Sequence, residues 1–401
     1  MAFDELVSRR DAVAQVLELR SDWSAGTPES IATDAVAGRV LAESIVADRD
    51  VPARSHATMD GYAFDADQSY PFTIVDEVLP EGDPGSIEPE AAVKIATGAS
   101  VPAGATAVLK REDATVEDDE LVDGPTLSPG TYVYERGSNV STGETLFTAG
   151  EVLRAKDAIL LGDLGYETVP VRPRLSVGLL ATGTEIHEGR SADLDSPMLS
   201  GLIRNWGHEP HLAGTVPDDF DTVVARIDNL ARAHDVVMTT GGTSVGRKDY
   251  VLRALAKLGT VHFHGVAIRP GKPIGVATLP DHDAVAFAIP GKPIGAYTIT
   301  TAVARPFFTG ETALPQIEAA FACDLDVPRT GFEYWIPVTL DDETAVPLGH
   351  ADSALPVFEE TFSPSVLSSS TRASRADGVV ITEERLAAGE AVGVVPYEVF
   401  E

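Results

Sequence analysis

The chain has 401 residues, too many for one ordinary core and enough for two to four domains. Its 62 carboxylates against 30 basic residues give a formal charge of −32, a surface that repels nucleic acid and anionic membranes. Hydrophobic content of 44% is that of a soluble globular protein, and no apolar run is long enough to cross a bilayer.

A single cysteine, Cys323, excludes an intramolecular disulfide framework and fits a cytoplasmic protein. The start MAFDELVSRRDAV is an amphipathic acidic helix rather than a signal peptide. The acidic residues are spread along the chain, as expected of a halophilic protein in which salt screens self-repulsion. Three of only seven lysines, Lys248, Lys272 and Lys292, lie in glycine- or proline-rich loops, a purposeful placement in a chain that avoids lysine.

In chain order, residues 1–20 have helical periodicity (Val7, Val13, Val16, Leu17) and are expected to pack on a later domain. Residues 30–46, with Ile31, Val36, Val40, Leu41 and Ile45, read as a further amphipathic helix ending before Val51-Pro52. PARSHATMDGYAF (52–64) is a loop leading into a strand, and Asp60-Gly61 has the simple alternative of a turn. From residue 71 to 136 short alternating strands (72–75, 93–95, 107–109, 132–134) separated by Pro/Gly/Asp turns predict a small all-β lobe. Thr97 ends one of these strands or is a turn residue. A helix over 154–164, ending at Gly165, follows a polar glycine segment, and Pro170 and Pro173 mark a linker.

Beyond the linker, strands at 175–180, 211–215 and 236–240 alternate with helices at 198–207 and 221–233, which predicts a doubly wound parallel sheet. Ligands bind beyond the carboxyl ends of such strands, where Glu185, Asp218 with Asp219, and Asp249 all fall. DVVMTTGGTSVGRKDY (235–250) reads as strand, small-residue turn and helix. Its loop either offers backbone N–H groups to an anion or is a tight turn whose glycines supply positive φ. It is neither a P-loop nor a dinucleotide fingerprint. IRPGKPIG (268–275) recurs as AIPGKPIG (288–295). If the strands between them, 274–279 and 284–289, pair as a hairpin, both PGK turns share one end. Lys272, Lys292 and Arg269 would then lie close, an arrangement that calls for an anion. In VHFHG (261–265) His262 and His264 lack a third metal ligand, so the structural reading is preferred. Residues 311–401 return to short strands (334–340, 379–381, 392–395). Their SSSTRASRADG (368–378) is either a flexible loop or an oxyanion contact.

PARSHATMDGYA, IATGASVPAGATAVLKRE, ERGSNVSTGETL, GLLATGTEI, TTGGTSVGRKDY, AIRPGKP and AIPGKPIGA resemble, in the same order, the motifs of the molybdopterin molybdotransferase family (MoeA and the E domain of gephyrin). The resemblance implies an α/β multidomain chain in four parts. A doubly wound molybdopterin-binding-type domain takes 1–20 and 172–310, and a connecting, dimerising α/β domain takes 21–50 and 136–171. A β-rich lobe takes 51–135 and a C-terminal β-barrel-like module takes 311–401. The implied reaction is insertion of molybdate into adenylylated molybdopterin with Mg²⁺-dependent release of AMP, by a homodimer supplied by a molybdopterin adenylyltransferase. By position, Asp60, Thr97, Glu185, Asp218 and Asp249 match catalytic residues, the last three also as metal ligands. Arg136, Asn139, Gly241, Gly242, Thr243, Ser244, Arg269, Lys272, Pro290, Lys292 and Pro293 match substrate-binding positions. Departures are Asn139 for an aspartate, Thr184 for the acid of TGDE, LDSPM (194–198) without its asparagine, PGKPIG for PGNPVS, and Arg247-Lys248 for an acidic or neutral pair. These shift the site toward positive charge. The alternatives they leave open are a paralogue handling tungstate and a non-enzymatic molybdopterin-binding scaffold.

Overall fold

The computed structural model describes residues 6–22, 27–242, 250–351 and 353–401. It divides into two compact units, Glu29–Val171 and Met1–Pro28 with Arg172–Glu401.

The first unit holds a six-stranded sheet in the order Ala107–Lys110, Gly61–Phe64, Ala91–Ile95, Phe72–Val78, Glu120–Asp123, Thr115–Glu117. Successive side chains go to opposite faces, so Ala63 and Val93 enter one core with Val78, Ile95 and Val108. Phe64 and Ala92 enter the other, with Phe72, Leu109 and Leu121. Gly61 opens its strand rather than making a turn. A Cβ there would stand 1.8 Å from the Leu109 carbonyl oxygen, so close cross-strand approach fixes the glycine.

The helix expected over 30–46 does not form. Glu29–Ala32 pairs antiparallel with Thr168–Val171, and Ile45–Val46 pairs with Thr145–Phe147. Val36, Leu41 and Ile45 are buried against Phe147, Leu161 and Val169, reached along irregular chain in which Gly38 has φ +75°. A small core without a broad packing face does not impose a helical period. The second helix of this unit is shorter than expected, Asp157–Asp163, with Gly165 at φ +83° beyond its end.

The other unit is built on a sheet ordered Glu209–Val216, Ser176–Thr182, Val236–Thr240, Ala284–Ile289, Gly275–Leu279, Thr260–His264. The first four strands are parallel and the last two are added antiparallel. Both faces are covered, so the inner strands read as unbroken apolar runs. On one face Val236 and Met238 pack with Ala12 and Val16 of helix Arg9–Asp22 and with Leu199 and Ile203 of helix Asp195–Asn205. On the other, Val237 packs with Val223 and Ile227 of Phe220–Ala233 and with Val251 and Leu255 of Tyr250–Leu258. Asp219 caps Phe220–Ala233 by accepting the Thr222 N–H at 2.9 Å. His262 meets the Thr278 hydroxyl at 3.1 Å and His264 is buried, and no cluster of three His, Cys, Asp or Glu suited to a metal occurs among the described residues.

Five strands of the C-terminal part close on themselves: Glu333–Asp341 pairs with both Thr344–Pro347 and Gly378–Thr382, and Ala391–Pro396 and Ile317–Phe321 complete the ring. Closure leaves no free edge, and Phe321, Tyr334, Ile336, Phe362 and Val394 fill the interior. The segment 368–378 contains a helical turn, Thr371–Arg375, with Ser368 and Ala373 buried. A two-residue strand, Ile268–Arg269, adds parallel to Glu333 and Tyr334 and so joins the α/β sheet's loops to the barrel. Among the described residues no helix is long and apolar enough to cross a membrane.

Candidate functional site

Strand Gly275–Leu279 pairs antiparallel with Ala284–Ile289, Gly275 opposite Ala288, so the two PGK turns do share one end. They open into a pocket of about 530 Å³ beyond the carboxyl ends of the parallel strands. Ser176–Thr182 delivers Thr182, Gly183 and Glu185, and the loop after Glu209–Val216 delivers Asp218. Gly241 and Gly242 follow Val236–Thr240, and Pro290, Gly291 and Lys292 follow Ala284–Ile289. Arg269 and Lys272 come from the other PGK turn, and Ser365 and Ser368 from the barrel side. Pro293 starts the helix Pro293–Ile299, for which Lys292 is the N-cap residue.

Glycines let these turns approach backbone to backbone. At Gly241 (φ +79°) a Cβ would lie 2.5 Å from the Thr182 carbonyl oxygen, and at Gly271 (φ +109°) 2.8 Å from that of Gly295. A Cβ on Gly291 would be 3.0 Å from the Gly241 Cα. Positive φ at Gly241 and Gly242 fits the tight-turn reading of that loop, and close packing adds a second demand for glycine.

Among the described lining residues three cations, Arg269, Lys272 and Lys292, face two carboxylates, Glu185 and Asp218. Among the described residues the excess is positive, in a chain of charge −32, an arrangement that favours an anion there. The Lys292 ammonium donates to the Ser365 carbonyl oxygen at 3.2 Å, which sets its position on the rim. The Arg269 guanidinium lies 4.5 Å from the centre of the Phe332 ring. Thr184, where the resemblance leads one to expect an acid, exchanges hydrogen bonds with Asp218. Its hydroxyl accepts the Asp218 N–H at 3.0 Å, and its own N–H donates to Asp218 Oδ2 at 3.3 Å. Glu185 is exposed. These two hard oxygen donors on neighbouring loops fit Mg²⁺, which takes one or two carboxylates and completes its shell with water and phosphate.

Asp195 was marked in the sequence only by the missing asparagine of its segment. It is 5% exposed, with Oδ2 4.0 Å from the Cβ position of Gly291 and Oδ1 without a hydrogen-bond partner. Burial, with the Asp193 charge adding, pushes its carboxyl up to about 6. Ser365 also belongs to the pocket, and its distance in sequence from the PGK turns hid this; Ser368, the first residue of the segment read as either a flexible loop or an oxyanion contact, lines the pocket as well.

In the other unit, Asp60 Oδ1 accepts both the backbone N–H and the hydroxyl of Thr97, each at 2.7 Å. These two bonds, then the Arg111 charge, hold the Asp60 carboxyl below its usual range. Thr97 is thus a partner of Asp60 and not merely a turn residue. Arg136 donates to Asp50 at 2.7 Å, and Asn139 donates to Asp163 at 3.0 Å. The Thr142 N–H and hydroxyl, then Arg136, lower the Asp50 carboxyl to about 2. Thr243, Ser244 and Asp249, with Arg247 and Lys248, lie outside the described residues.

Residues 7–165 match the MoeA N-terminal region (domain I and II), and residues 178–310 match the family described as "Probable molybdopterin binding domain". A molybdopterin molybdenumtransferase of Synechococcus elongatus is 30% identical over 290 residues, covering 67% of this chain and 71% of that one. One from Nostoc is 31% identical over 260 residues, covering 61% and 60%. The chain thus aligns with roughly three fifths to seven tenths of the length of these curated relatives. The crystal structure of a molybdopterin biosynthesis MoeA protein from Pyrococcus horikoshii superposes with a TM-score of 0.76 at 26% identity, covering 99% of this chain and 100% of that one. Matched in both regions, in sequence over most of its length and in fold throughout, this chain belongs to the molybdopterin molybdenumtransferase family, the transferases of molybdenum cofactor biosynthesis.

Proposed function

We propose that the chain inserts molybdate into adenylylated molybdopterin with Mg²⁺-dependent release of AMP. The observation that carries this reading is the convergence of Arg269, Lys272 and Lys292 with Glu185 and Asp218 in one pocket. The cations suit a tetrahedral oxyanion and a phosphate. Glu185 and Asp218, joined by Asp249 on the resemblance, would hold Mg²⁺, which when bound offsets phosphate charge. Thr184 orients Asp218 for that task. Gly241 and Gly242, with Thr243 and Ser244, would border the phosphate, and Pro290 and Pro293 would shape the turn that presents Lys292. Asp60 is ionised at neutral pH and therefore acts as an acceptor or base rather than as an acid. Arg136 and Asn139 are assigned to substrate by resemblance. The resemblance further supports a cytoplasmic homodimer supplied by a molybdopterin adenylyltransferase.

The test is AMP release from adenylylated molybdopterin in the presence of Mg²⁺ and molybdate or tungstate. Turnover that requires both ions is expected, whereas tight binding without AMP release would make the chain a scaffold. Each charge-assisted hydrogen bond to an anion contributes on the order of 1.5–3 kcal/mol. Lys292→Asn is therefore expected to weaken oxyanion binding by about tenfold or more. Lys272→Ala should act likewise, with the double variant losing less than the sum. Additive or negligible losses in calorimetric titration would mean that the two lysines do not share an anion.

A further inference from the structure

A second pocket, of about 290 Å³, takes its walls from Pro293, Ile294 and Tyr297 of the helix whose Lys292 and Gly295 line the first. Leu194, 52% exposed, and Met198 close one side. The rings of Tyr297 and Tyr397 form a corner, 5.3 Å apart and inclined at 74°. The Glu401 carboxylate stands at the same pocket, 3.5 Å from the Tyr297 hydroxyl, at the limit of a hydrogen bond and so with acceptor capacity to spare.

Thr371, Ala373 and Ser374 complete the lining, and these mainly aromatic and aliphatic walls beside a carboxylate select against most ligands. A free anion meets the Glu401 charge. A hard metal ion finds one carboxylate where it needs several oxygens. A neutral apolar molecule fills the walls but gains nothing from the Glu401 charge at the pocket's exposed side. A cation whose charge is spread over methyl groups satisfies all three surfaces, because the faces of electron-rich rings attract it and its methyls fill the apolar walls. Burial is the main cause that holds the Tyr297 hydroxyl well above its ordinary range, and the nearby Glu401, Tyr397 and Glu398 act in the same direction. We propose that this pocket binds a small free organic cation of the alkylammonium type. Pockets for drug-sized ligands run from roughly 300 to 1,000 Å³, and at about 290 Å³ this one lies at the small end and suits a small occupant.

Calorimetric titration of the full chain with tetramethylammonium, at fixed ionic strength, tests this against neopentyl alcohol, a neutral molecule of similar shape. Saturable binding of the ammonium is expected, about tenfold tighter than that of the alcohol. Tyr297→Phe keeps the ring and should retain binding, whereas Tyr297→Leu and Glu401→Gln should each weaken it by about tenfold. Because Tyr297→Leu could disturb packing, its circular dichroism and molybdate binding are measured alongside, and Glu401→Gln gives an independent reading at an exposed position. Equal affinity for ammonium and alcohol, unchanged binding in Glu401→Gln, or no saturable ammonium binding would each overturn the proposal.

Discussion

Buried Asp195 shows how far a single residue can depart from its ordinary chemistry. Its carboxyl is raised to about 6 in the fold, against about 3.9 for an unfolded chain. The folded state therefore holds the proton more tightly. The contribution of Asp195 to stability is fully present below the unfolded value, where it is neutral in both states, and is lost as pH rises through the folded value. Asp195→Asn, neutral throughout, should stabilise the chain by roughly 1–3 kcal/mol at pH 8 and by little at pH 4. Urea midpoints at the two pH values in molar KCl measure this, and a pH-independent difference would contradict it. Nothing in the sequence distinguishes such a buried aspartate from an exposed one at a helix start. Glu185 was legible because it follows a strand whose unbroken apolar run announces where its carboxyl end lies, whereas Asp218 follows a mostly exposed edge strand, Glu209–Val216, and was placed by the alternation of strands and helices. Asp60 was legible as a matched position, while its bond to Thr97 had to be seen, since 37 residues separate them.

Among the elements, those with one strongly buried face were readable. The parallel strands carry Leu179, Val237 and Phe287 at 1% exposure or less, and the hairpin between the PGK turns followed from its two apolar runs. The strand Thr115–Glu117 is exposed throughout and gave no pattern, and residues 30–46 gave a helical pattern that a small irregular core absorbs otherwise. At the pocket the turns depend on glycine for two separable reasons, which a pair of variants can divide. Gly271→Ala imposes an unfavourable φ and sets a Cβ 2.8 Å from the Gly295 carbonyl oxygen. Gly389→Ala imposes a similar φ of +80° with nothing within 4 Å. The second should cost about 1–2 kcal/mol and the first about 2–4 kcal/mol, with accompanying loss of oxyanion binding. Equal costs in chemical denaturation would show that the backbone contact yields freely.

For the whole molecule, charge is the dominant variable. A net −32 on 401 residues means that lowering ionic strength extends repulsion across each unit, since the screening length grows from about 3 Å at molar salt to about 30 Å at 0.01 M. The thermal midpoint should therefore fall as KCl is reduced from molar to millimolar, and an unchanged midpoint would assign the acidic surface another cause. Composition made this legible, along with the division into several cores, but not how the barrel engages the α/β sheet. Strand Ile268–Arg269 is held by the barrel at Glu333 and Tyr334, one residue before the PGK turn that carries Lys272. The Trp206 indole donates to the Phe400 carbonyl oxygen at 2.7 Å, and Ser365 anchors Lys292. The barrel is thus no detachable module. A chimaera that exchanges it for a relative's barrel must import residues 268–273 as well, because a foreign barrel would inherit the seam while presenting the wrong register to the cations beside it.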